Sequence, residues 1–578
     1  MSKVLKFIRG IEKKTAAASI LIFLLMLVTK LLGFLKFRTI AQFFGVSKEL
    51  DVFWAAFAIP DLIFTLLIAG TVNAALIPVF IKTKEKEGHK KNLEVLNSVI
   101  NFNVIIWLFL GLLLFLSAPL IYKLFIFLGK YNIFQTTTSY EHSAYDILLF
   151  IKLTRLMFIS PFILGISSIF SAFLNAYKRF TAASLAPLFY NVGILLGIYT
   201  LQTINPAGGI FNLAYSIIIG SILHLIVQLP AVWSLGYVPS LVLKFSKYVK
   251  EILFLAIPRI LGLAVEQIAI TFDTFWALIL GAGALSIFKY ASSIHLMPVH
   301  LFTNSILQVT FPNLNENAAK NGKSEPFVKL FLKILIYILW ITSFTAILII
   351  VLKIPIIKVI LGTGKFKDRE VFITSLVLAS LSGAIVFYSL SSLIIRAFYA
   401  LHETKKPFLT SLVGVFANII FAVLFSNFFS HTQVIEVLKT IWISRFTKIY
   451  WPFDISDTLH FFTTRSSSLY SVVGLGFGIT ISLLIEVIFS LYLLNKEVAL
   501  VKTLKKSKTK VKVLTIFFAN IIVFIVALNF YSYLNQNLPY STKNALIEIV
   551  LVSLVAGFIY SILTLPIYIH LIRRLKIK

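Results

Sequence analysis

Residues 15–44 read TAAASILIFLLMLVTKLLGFLKFRTIAQFF, an apolar run long enough to cross a bilayer as one helix. A basic segment precedes it, as in a signal peptide, but the stretch from Ala16 to Ile40 has no small-residue cleavage site. The sequence therefore predicts a first transmembrane helix that is retained. This helix carries Lys30, Lys36 and Arg38, and such charges are costly inside a membrane.

Similar apolar runs recur along all 578 residues. Hydrophobic residues make up 59% of the chain, and the mean hydropathy is +0.93, values that a water-exposed surface does not allow. We therefore expect an all-α polytopic membrane protein with about fourteen transmembrane helices. Their expected positions are 15–44, 51–80, 93–122, 146–175, 182–203, 209–236, 247–280, 285–312, 328–352, 370–400, 407–430, 468–494, 511–532 and 545–572.

The formal net charge of +30 follows from Lys and Arg clusters in alternate connecting segments. This distribution is typical of the positive-inside rule, so we expect membrane lipids rather than nucleic acid as partners, and both termini in the cytoplasm. The chain has no cysteine, which excludes disulfides and thiol chemistry. Nucleotide-binding, zinc-protease and serine-hydrolase motifs are also absent from the sequence, which favours a transporter over an enzyme.

Two short matches indicate an internal repeat. Leu31-Leu-Gly33 resembles Ile260-Leu-Gly262, and LNAYKRF from Leu174 resembles FYALHET from Phe398, at offsets of about 229 and about 224 residues. We predict two pseudo-symmetric six-helix lobes, 1–245 and 246–500, and a terminal helix pair, 501–578.

The segment 431–467 interrupts this pattern on the predicted outer side. Its apolar residues have a spacing typical of a helix lying among lipid headgroups, and a plain loop is the alternative. These residues are Ile435, Leu438, Trp442, Phe446 and Ile449.

Ionisable residues inside predicted spans are candidates for a transport site. On an ideal helix Lys30 and Lys36 lie about 120° apart, so they face one cavity only if the helix bends, as Gly33 would permit. Such a cationic cavity suits an anion such as a pyrophosphate. Alternatively, Lys36 and Arg38 extend to the headgroups. Further candidates are Arg259, Glu266, Lys289, His295, His300, Arg396 and Glu486.

Asp273, late in the seventh predicted span, also needs a compensating partner. A sodium ion is one interpretation, with Asn418 and Thr480 as further oxygen ligands. Hydrogen bonding between helices explains an intramembrane Asn or Thr equally well.

Several motifs together resemble the MurJ/MviN family of lipid II flippases over about residues 15–500. They are LLGF (31–34), FFG (43–45), DVFWAAF (51–57) with Pro60 and Gly70, ALIPVF (75–80), LNAYKRF (174–180) with Leu185-Ala-Pro and Asn191, PRILG (258–262), Tyr290-Ala291, Pro298, Phe311-Pro312, and RAFYALHETKKP (396–407).

The resemblance implies the multidrug/oligosaccharidyl-lipid/polysaccharide exporter fold, with a central cavity between two lobes and a lipid-tail groove formed by helices 13 and 14. Family arginines that engage the pyrophosphate align with Lys30 and Lys36 on helix 1, with Thr65 on helix 2 and with Ser293 on helix 8. Lys289, one turn before Ser293, is a candidate to replace the missing charge.

Family sodium ligands align with Asp273, Asn418 and Thr480, whereas a second acidic ligand is replaced by Ala422. The resemblance thus makes a sodium ion the candidate cofactor.

We therefore expect an alternating-access flippase that moves lipid II across the bacterial cytoplasmic membrane. A flippase for another undecaprenyl-linked polysaccharide and a transport-dead membrane scaffold are the alternatives. A monomer is expected, with the cell-wall synthesis machinery as a candidate partner.

Overall fold

The computed structural model describes residues 15–69, 75–130, 144–431, 468–506 and 509–565, and the single positions 433, 434, 436 and 567. These residues form helices and short connections, with no strand among them. The helix predicted in the 431–467 insertion has four of its five apolar residues beyond position 436, and its first, Ile435, is also outside the described residues.

The chain divides into two compact units, residues 1–131 with 140–279 and residues 132–139 with 280–578. The predicted lobe boundaries at 245 and 500 remain predictions. The helices of the first unit are α1 (Thr15–Phe44), α2 (Lys48–Phe64), α3 (Ile77–Lys130), α4 (Ala144–Met157), α5 (Ile159–Ala176), α6 (Phe180–Ile204), α7 (Ile210–Ile226), α8 (Leu229–Trp233) and α9 (Lys247–Leu280, whose last residue belongs to the second unit).

The helices of the second unit are α10 (Ala284–Pro298), α11 (Asn304–Asn321), α12 (Glu325–Val351), α13 (Lys353–Leu361), α14 (Asp368–Ala400), α15 (Lys405–Phe428), α16 (Ser471–Val498), α17 (Leu500–Lys506), α18 (Thr509–Asn537) and α19 (Thr542–Leu563). Short π-helical segments follow α2 at Thr65–Ala69 and α10 at Val299–Thr303.

Twelve helices in the described part of the chain are long and apolar enough to cross a membrane. Large apolar side chains such as Phe109, Leu116 and Leu120 on α3 are about two-thirds exposed, which a lipid environment explains. The protein is therefore a multi-pass, all-α membrane protein, as predicted. The first and eighth predicted spans, α1 and α10–α11, are not among these twelve, so the count of fourteen remains a prediction.

Small residues allow close helix packing within each unit. In the first unit, a Cβ added to Gly193 of α6 would lie 2.7 Å from the Cα of Gly220 in α7. In the second, a Cβ on Gly478 of α16 would lie 2.6 Å from the Cα of Ala422 in α15. Van der Waals contact between such backbones holds helices together in lipid, where no hydrophobic effect drives their association.

The two helix ends paired by the sequence repeat have the same backbone geometry. Lys178 and His402 are both left-handed, with φ values of 57° and 60°. Arg179 N donates to Leu174 O at 2.8 Å, and Glu403 N donates to Phe398 O at 2.9 Å. Because left-handed φ values are uncommon outside glycine, this agreement supports the repeat at these two helix ends.

An arginine within α4 has a structural role that explains its place in the membrane. Pro119 of α3 has no N–H to donate to Phe115 O one turn earlier. Arg155 donates to that carbonyl from Nε at 3.3 Å and from Nη2 at 3.0 Å, and its guanidinium lies 3.8 Å from the Phe115 ring centroid. Arg155 thus satisfies a backbone acceptor that lipid cannot.

Candidate functional site

Lys36 lies where α1 packs against α6. Its Nζ is 5.8 Å from the centroid of the Tyr190 ring and 5.3 Å from that of Phe37. The next residue of α6, Asn191, donates from Nδ2 to Thr29 O at 3.4 Å. Thr29 and Lys36 are two helical turns apart, so one face of α1 meets α6 and positions the half-buried Lys36 beside an aromatic ring.

Asp61 of α2 is an acidic residue of this region that the sequence analysis missed. It lies close enough to interact electrostatically with both Lys36 and Tyr190. Its signal was present in the sequence, because a carboxylate in the middle of the predicted span 51–80 is costly without a partner.

Thr65, the predicted helix 2 position, begins the π-helical segment Thr65–Ala69, and its N–H donates to the carbonyls of Asp61 and Leu62. In the second unit, Val299–Thr303 is also π-helical and directly follows Pro298. Single π-helical turns occur frequently at functional sites because they re-aim neighbouring side chains. Thr65 is half-buried, and the structure places it one turn after Asp61.

Lys30 and Lys36 occupy different environments on α1. The helix continues through Gly33 without a break, so the expected bend is not seen as an interruption of α1. Gly33 borders open space, since a Cβ added there would have no heavy atom within 4 Å. Lys30 is exposed, whereas Lys36 and Arg38 are half-buried. The structure therefore does not show the two lysines converging on one point.

The candidate residues Lys289 and Ser293 lie one turn apart on α10, in the second unit. Both are half-buried, and the Ser293 hydroxyl donates to Tyr290 O at 2.8 Å. Of the predicted binding residues, Lys30, Lys36, Arg38 and Thr65 thus belong to the first unit, and only these two to the second.

The predicted sodium ligands are also divided between the units. Asp273 is a buried residue of α9 in the first unit, whereas the buried Asn418 on α15 and the half-buried Thr480 on α16 belong to the second. The Thr480 hydroxyl donates to Ser380 O of α14 at 2.6 Å, so its side chain is directed toward that helix. Ala422, which replaces the family's second acidic ligand, is fully buried where α15 meets α16 and supplies no carboxylate there. The sodium site therefore remains a prediction.

Glu486 of α16 lies beside residues of α14 and α15 in the second unit. Its Oε1 accepts a hydrogen bond from the Ser391 hydroxyl of α14 at 2.7 Å, and a Cβ on Gly414 of α15 would lie 2.6 Å from Oε2. This carboxylate therefore connects three helices, which is a structural reason for an acidic residue within a span.

An apolar cavity of about 340 Å³ lies between α18 and α19. Its lining combines aliphatic and aromatic side chains with one threonine, so it suits a hydrocarbon chain rather than a polar solute. The lining residues are Val511, Leu514, Thr515, Phe518, Ala519, Ile522 and Leu563.

Solved structures share this architecture. One titled as lipid II flippase MurJ in an inward closed conformation matches with a TM-score of 0.70 and 22% identity, covering 96% of this chain and all of that one. An inward-facing multidrug transporter of the wider exporter superfamily matches with a TM-score of 0.59 and 15% identity, covering 82% of this chain and 96% of that one. At these identities the similarity shows the fold.

Curated relatives extend the similarity to the sequence. A probable lipid II flippase MurJ of Buchnera aphidicola subsp. Acyrthosiphon pisum (strain APS) is 28% identical over 424 residues, 73% of this chain and 80% of that protein. The corresponding probable flippase of Borreliella burgdorferi is 26% identical over 424 residues, 72% of this chain and 79% of that protein. The family model described as lipid II flippase MurJ matches residues 40–435. Because that match covers most of the chain, the protein belongs to the MurJ family of lipid II flippases.

Proposed function

We propose that this chain is a lipid II flippase, a transporter that moves the undecaprenyl-pyrophosphate-linked peptidoglycan precursor from the inner to the outer leaflet of the bacterial cytoplasmic membrane. The family match over residues 40–435 is the observation that carries this conclusion. Translocation by alternating access breaks no covalent bond, so the protein acts as a transporter and not as an enzyme.

Lys36 is the residue on which we base headgroup recognition. The half-buried Lys36 ammonium beside Tyr190 lies in a region of low dielectric, where attraction to a pyrophosphate is stronger than in water. Lys30, exposed one and a half turns earlier on α1, would meet the same ligand if the helix moves during transport. Arg38, Thr65, Lys289 and Ser293 are secondary candidates.

The cavity between α18 and α19 supports a place for the lipid tail. Its lining is almost entirely apolar, and both helices belong to the terminal pair that the sequence sets apart from the two lobes. A polyprenyl chain could remain there while the polar headgroup crosses, which keeps the hydrocarbon out of water.

The orientation and energy source are further parts of the proposal. Alternation of basic connecting segments supports cytoplasmic termini. The membrane potential or a sodium gradient would reset the transport cycle, with Asp273, Asn418 and Thr480 as the candidate ion ligands. A monomer that works beside the cell-wall synthesis machinery fits this function.

Rescue of a bacterium depleted of its own lipid II flippase tests the proposal. The wild type, Lys36→Ala, and Lys543→Ala as an exposed-lysine control would be expressed at matched membrane levels. We expect rescue by the wild type and the control, and at least tenfold fewer viable cells with Lys36→Ala. Failure of the correctly inserted wild type would overturn the lipid II assignment, and full rescue by Lys36→Ala would overturn the role of Lys36.

A further inference from the structure

The connection between α8 and α9 contains an extended segment that α3 holds by its backbone. Residues 237–246, here called the strap, form neither helix nor strand. Asn97 of α3 donates from Nδ2 to Val238 O at 3.2 Å, and its Oδ1 accepts from Ser240 N at 3.0 Å. One turn later on α3, Asn101 donates to Ser240 O at 2.8 Å. These side-chain amides pair with backbone groups of the strap, which fixes its course along α3.

The strap lies where the first unit begins to expose a lipid-facing surface. Ile105 and Leu108 of α3 follow Asn101 on the same helix face, and both are exposed apolar side chains within a candidate span. On the other side of the strap, α9 begins at Lys247, and Phe254, two turns later, is also exposed. Because a helix rises about 1.5 Å per residue, both apolar surfaces begin within about 11 Å of the strap. The strap is therefore at the boundary between lipid and water.

Apolar side chains of the strap point away from the protein. Leu241 is 88% exposed, and Val238, Leu243 and Phe245 are each more than half exposed. Such a group of large apolar side chains on a connecting segment is typical of a contact with a partner or a membrane. Its place at the edge of the lipid favours the membrane, since the same side chains would otherwise meet water.

Two lysines accompany these apolar side chains. Lys244 and Lys250 are exposed, and no ion pair joins either of them to another residue in the part of the chain that the structure describes. Lys250 Nζ lies 5.6 Å from the ring centroid of Phe245, so its charge is beside the apolar group. Glu94 is the carboxylate near Lys244, and it is paired with Lys91 at 2.6 Å. Apolar side chains with adjacent lysines are the combination that binds the surface of an acidic bilayer.

We propose that the strap is a membrane anchor. Leu241, Leu243 and Phe245 enter the boundary between headgroups and acyl chains of a bilayer that contains acidic phospholipids, and Lys244 and Lys250 bind the lipid phosphates. The strap is already held by α3, so it loses little conformational entropy when it docks. The anchor fixes the start of α9 at the membrane surface and does not depend on which lipid the protein transports.

Fluorescence quenching at single labelled positions tests the anchor, because the native sequence has no cysteine. Leu241→Cys, and Val238→Cys as a second variant, each supply one thiol for an environment-sensitive fluorophore. Lys320→Cys is the matched control, at an exposed helix end in the second unit. The labelled full-length proteins are placed in nanodiscs with equal fractions of dibrominated phosphatidylcholine or dibrominated phosphatidylglycerol as quencher. Both strap labels are also measured in a Lys244→Gln/Lys250→Gln background.

We expect both brominated lipids to quench the two strap labels more than the label at position 320. Phosphatidylglycerol should quench the strap labels at least twofold more than phosphatidylcholine, because each lysine near the surface attracts the acidic lipid. This preference should disappear in the Lys244→Gln/Lys250→Gln background, and it should weaken in 1 M salt.

Strap labels that are quenched no more than the control, in protein with wild-type thermal unfolding, would overturn the anchor. Labels that are shielded from water but not quenched by either lipid would also overturn it and would indicate a protein contact instead. Equal quenching by the two lipids, or a preference for phosphatidylglycerol that persists without both lysines, would overturn the recognition of acidic phospholipids by Lys244 and Lys250.

Discussion

The two repeat-related helix ends, residues 174–180 and 398–404, have the same backbone and different side-chain chemistry. In the first, the Tyr177 hydroxyl shares a hydrogen bond with His89 Nδ1 at 2.7 Å and accepts one from Asn92 at 3.2 Å. Lys84 lies 4.3 Å from the Tyr177 ring centroid. The contacts of Tyr177 at this first helix end are therefore two uncharged hydrogen bonds and one cation–π contact.

The second helix end is held by ion pairs. Glu403 lies 2.8 Å from Lys323 and 3.3 Å from Lys406, and Glu497 of α16 pairs with both lysines. The four side chains join the end of α16 to the connections before α12 and α15. The comparison teaches that a helix end set by backbone hydrogen bonds can keep its shape while the side-chain contacts around it differ. The predictions below separate these two contributions.

Removing the shared acceptor of the ionic cluster should have the largest effect. Glu497→Gln loses two charge-assisted contacts, and we expect the free energy of unfolding to fall by about 2 kcal/mol at low salt. Unfolding in mixed detergent micelles, with and without 1 M salt, measures this change. The loss should shrink at high salt. Glu316→Gln, which breaks the exposed pair with Lys320, is the control and should cost less than about 0.5 kcal/mol. Equal losses in both variants would contradict the cluster's role.

Glycine at the two left-handed positions should act equally at both helix ends. Lys178→Gly and His402→Gly relieve the steric cost of φ near +60°, and we expect each to raise the free energy of unfolding by up to about 1 kcal/mol. The same micelle assay measures both variants. The corresponding valine variants should be destabilised. A gain at only one of the two positions would mean that the helix ends do not share their backbone energetics.

Removing the Tyr177 hydroxyl should have a smaller effect that does not depend on salt. Tyr177→Phe loses contacts to His89 and Asn92, and we expect a cost of about 0.5–1 kcal/mol, the usual contribution of a neutral hydrogen bond. Unfolding at low and high salt gives the comparison with Glu497→Gln. A loss that disappears at high salt would show that the first helix end is also electrostatic.

High pH should weaken the ion pairs of the second helix end. Hydrogen bonds to Glu403 and Glu497 raise the pKa of Lys323 above its ordinary value of 10.5. The stabilisation is therefore complete below that value and is lost as pH rises through the higher pKa of the folded protein. Unfolding between pH 9 and pH 12 should show this small loss in the wild type. Lys323→Arg should lose less stability than the wild type over this range, because its guanidinium stays charged. If Lys323→Arg loses as much stability as the wild type between pH 9 and pH 12, the role of Lys323 in this high-pH loss is contradicted.

Much of the fold was predictable because lipid imposes simple rules on sequence. Apolar runs of sufficient length, such as the one in α12, must form helices to satisfy their backbone groups, and twelve described helices meet that condition. The repeat was also visible, since Lys178 and His402 fall at matching places in two similar runs. The functional family followed from motifs.

The candidate site was only partly predictable. Lys36 was identified as a candidate from the sequence alone, because it is a charged residue inside a predicted span. Its contact with Tyr190, a distant residue on α6, could not be predicted from residue spacing. Asp61 was missed because this stretch was interpreted only through the family motif that includes Pro60. Arg155 gave no sequence signal of its role, since Pro119 and the carbonyl it frees lie on a different helix.

The sequence by itself determined that this protein is a helical membrane transporter of the MurJ family. Hydropathy and local motifs depend on residues that are close together in the chain, so they can be recognised without the tertiary structure. Only the tertiary structure decided which charges meet, such as Lys323 with Glu497. The physical reason is that the energy of a charge in a membrane depends on its neighbours in space, and helix packing brings together residues far apart in the chain.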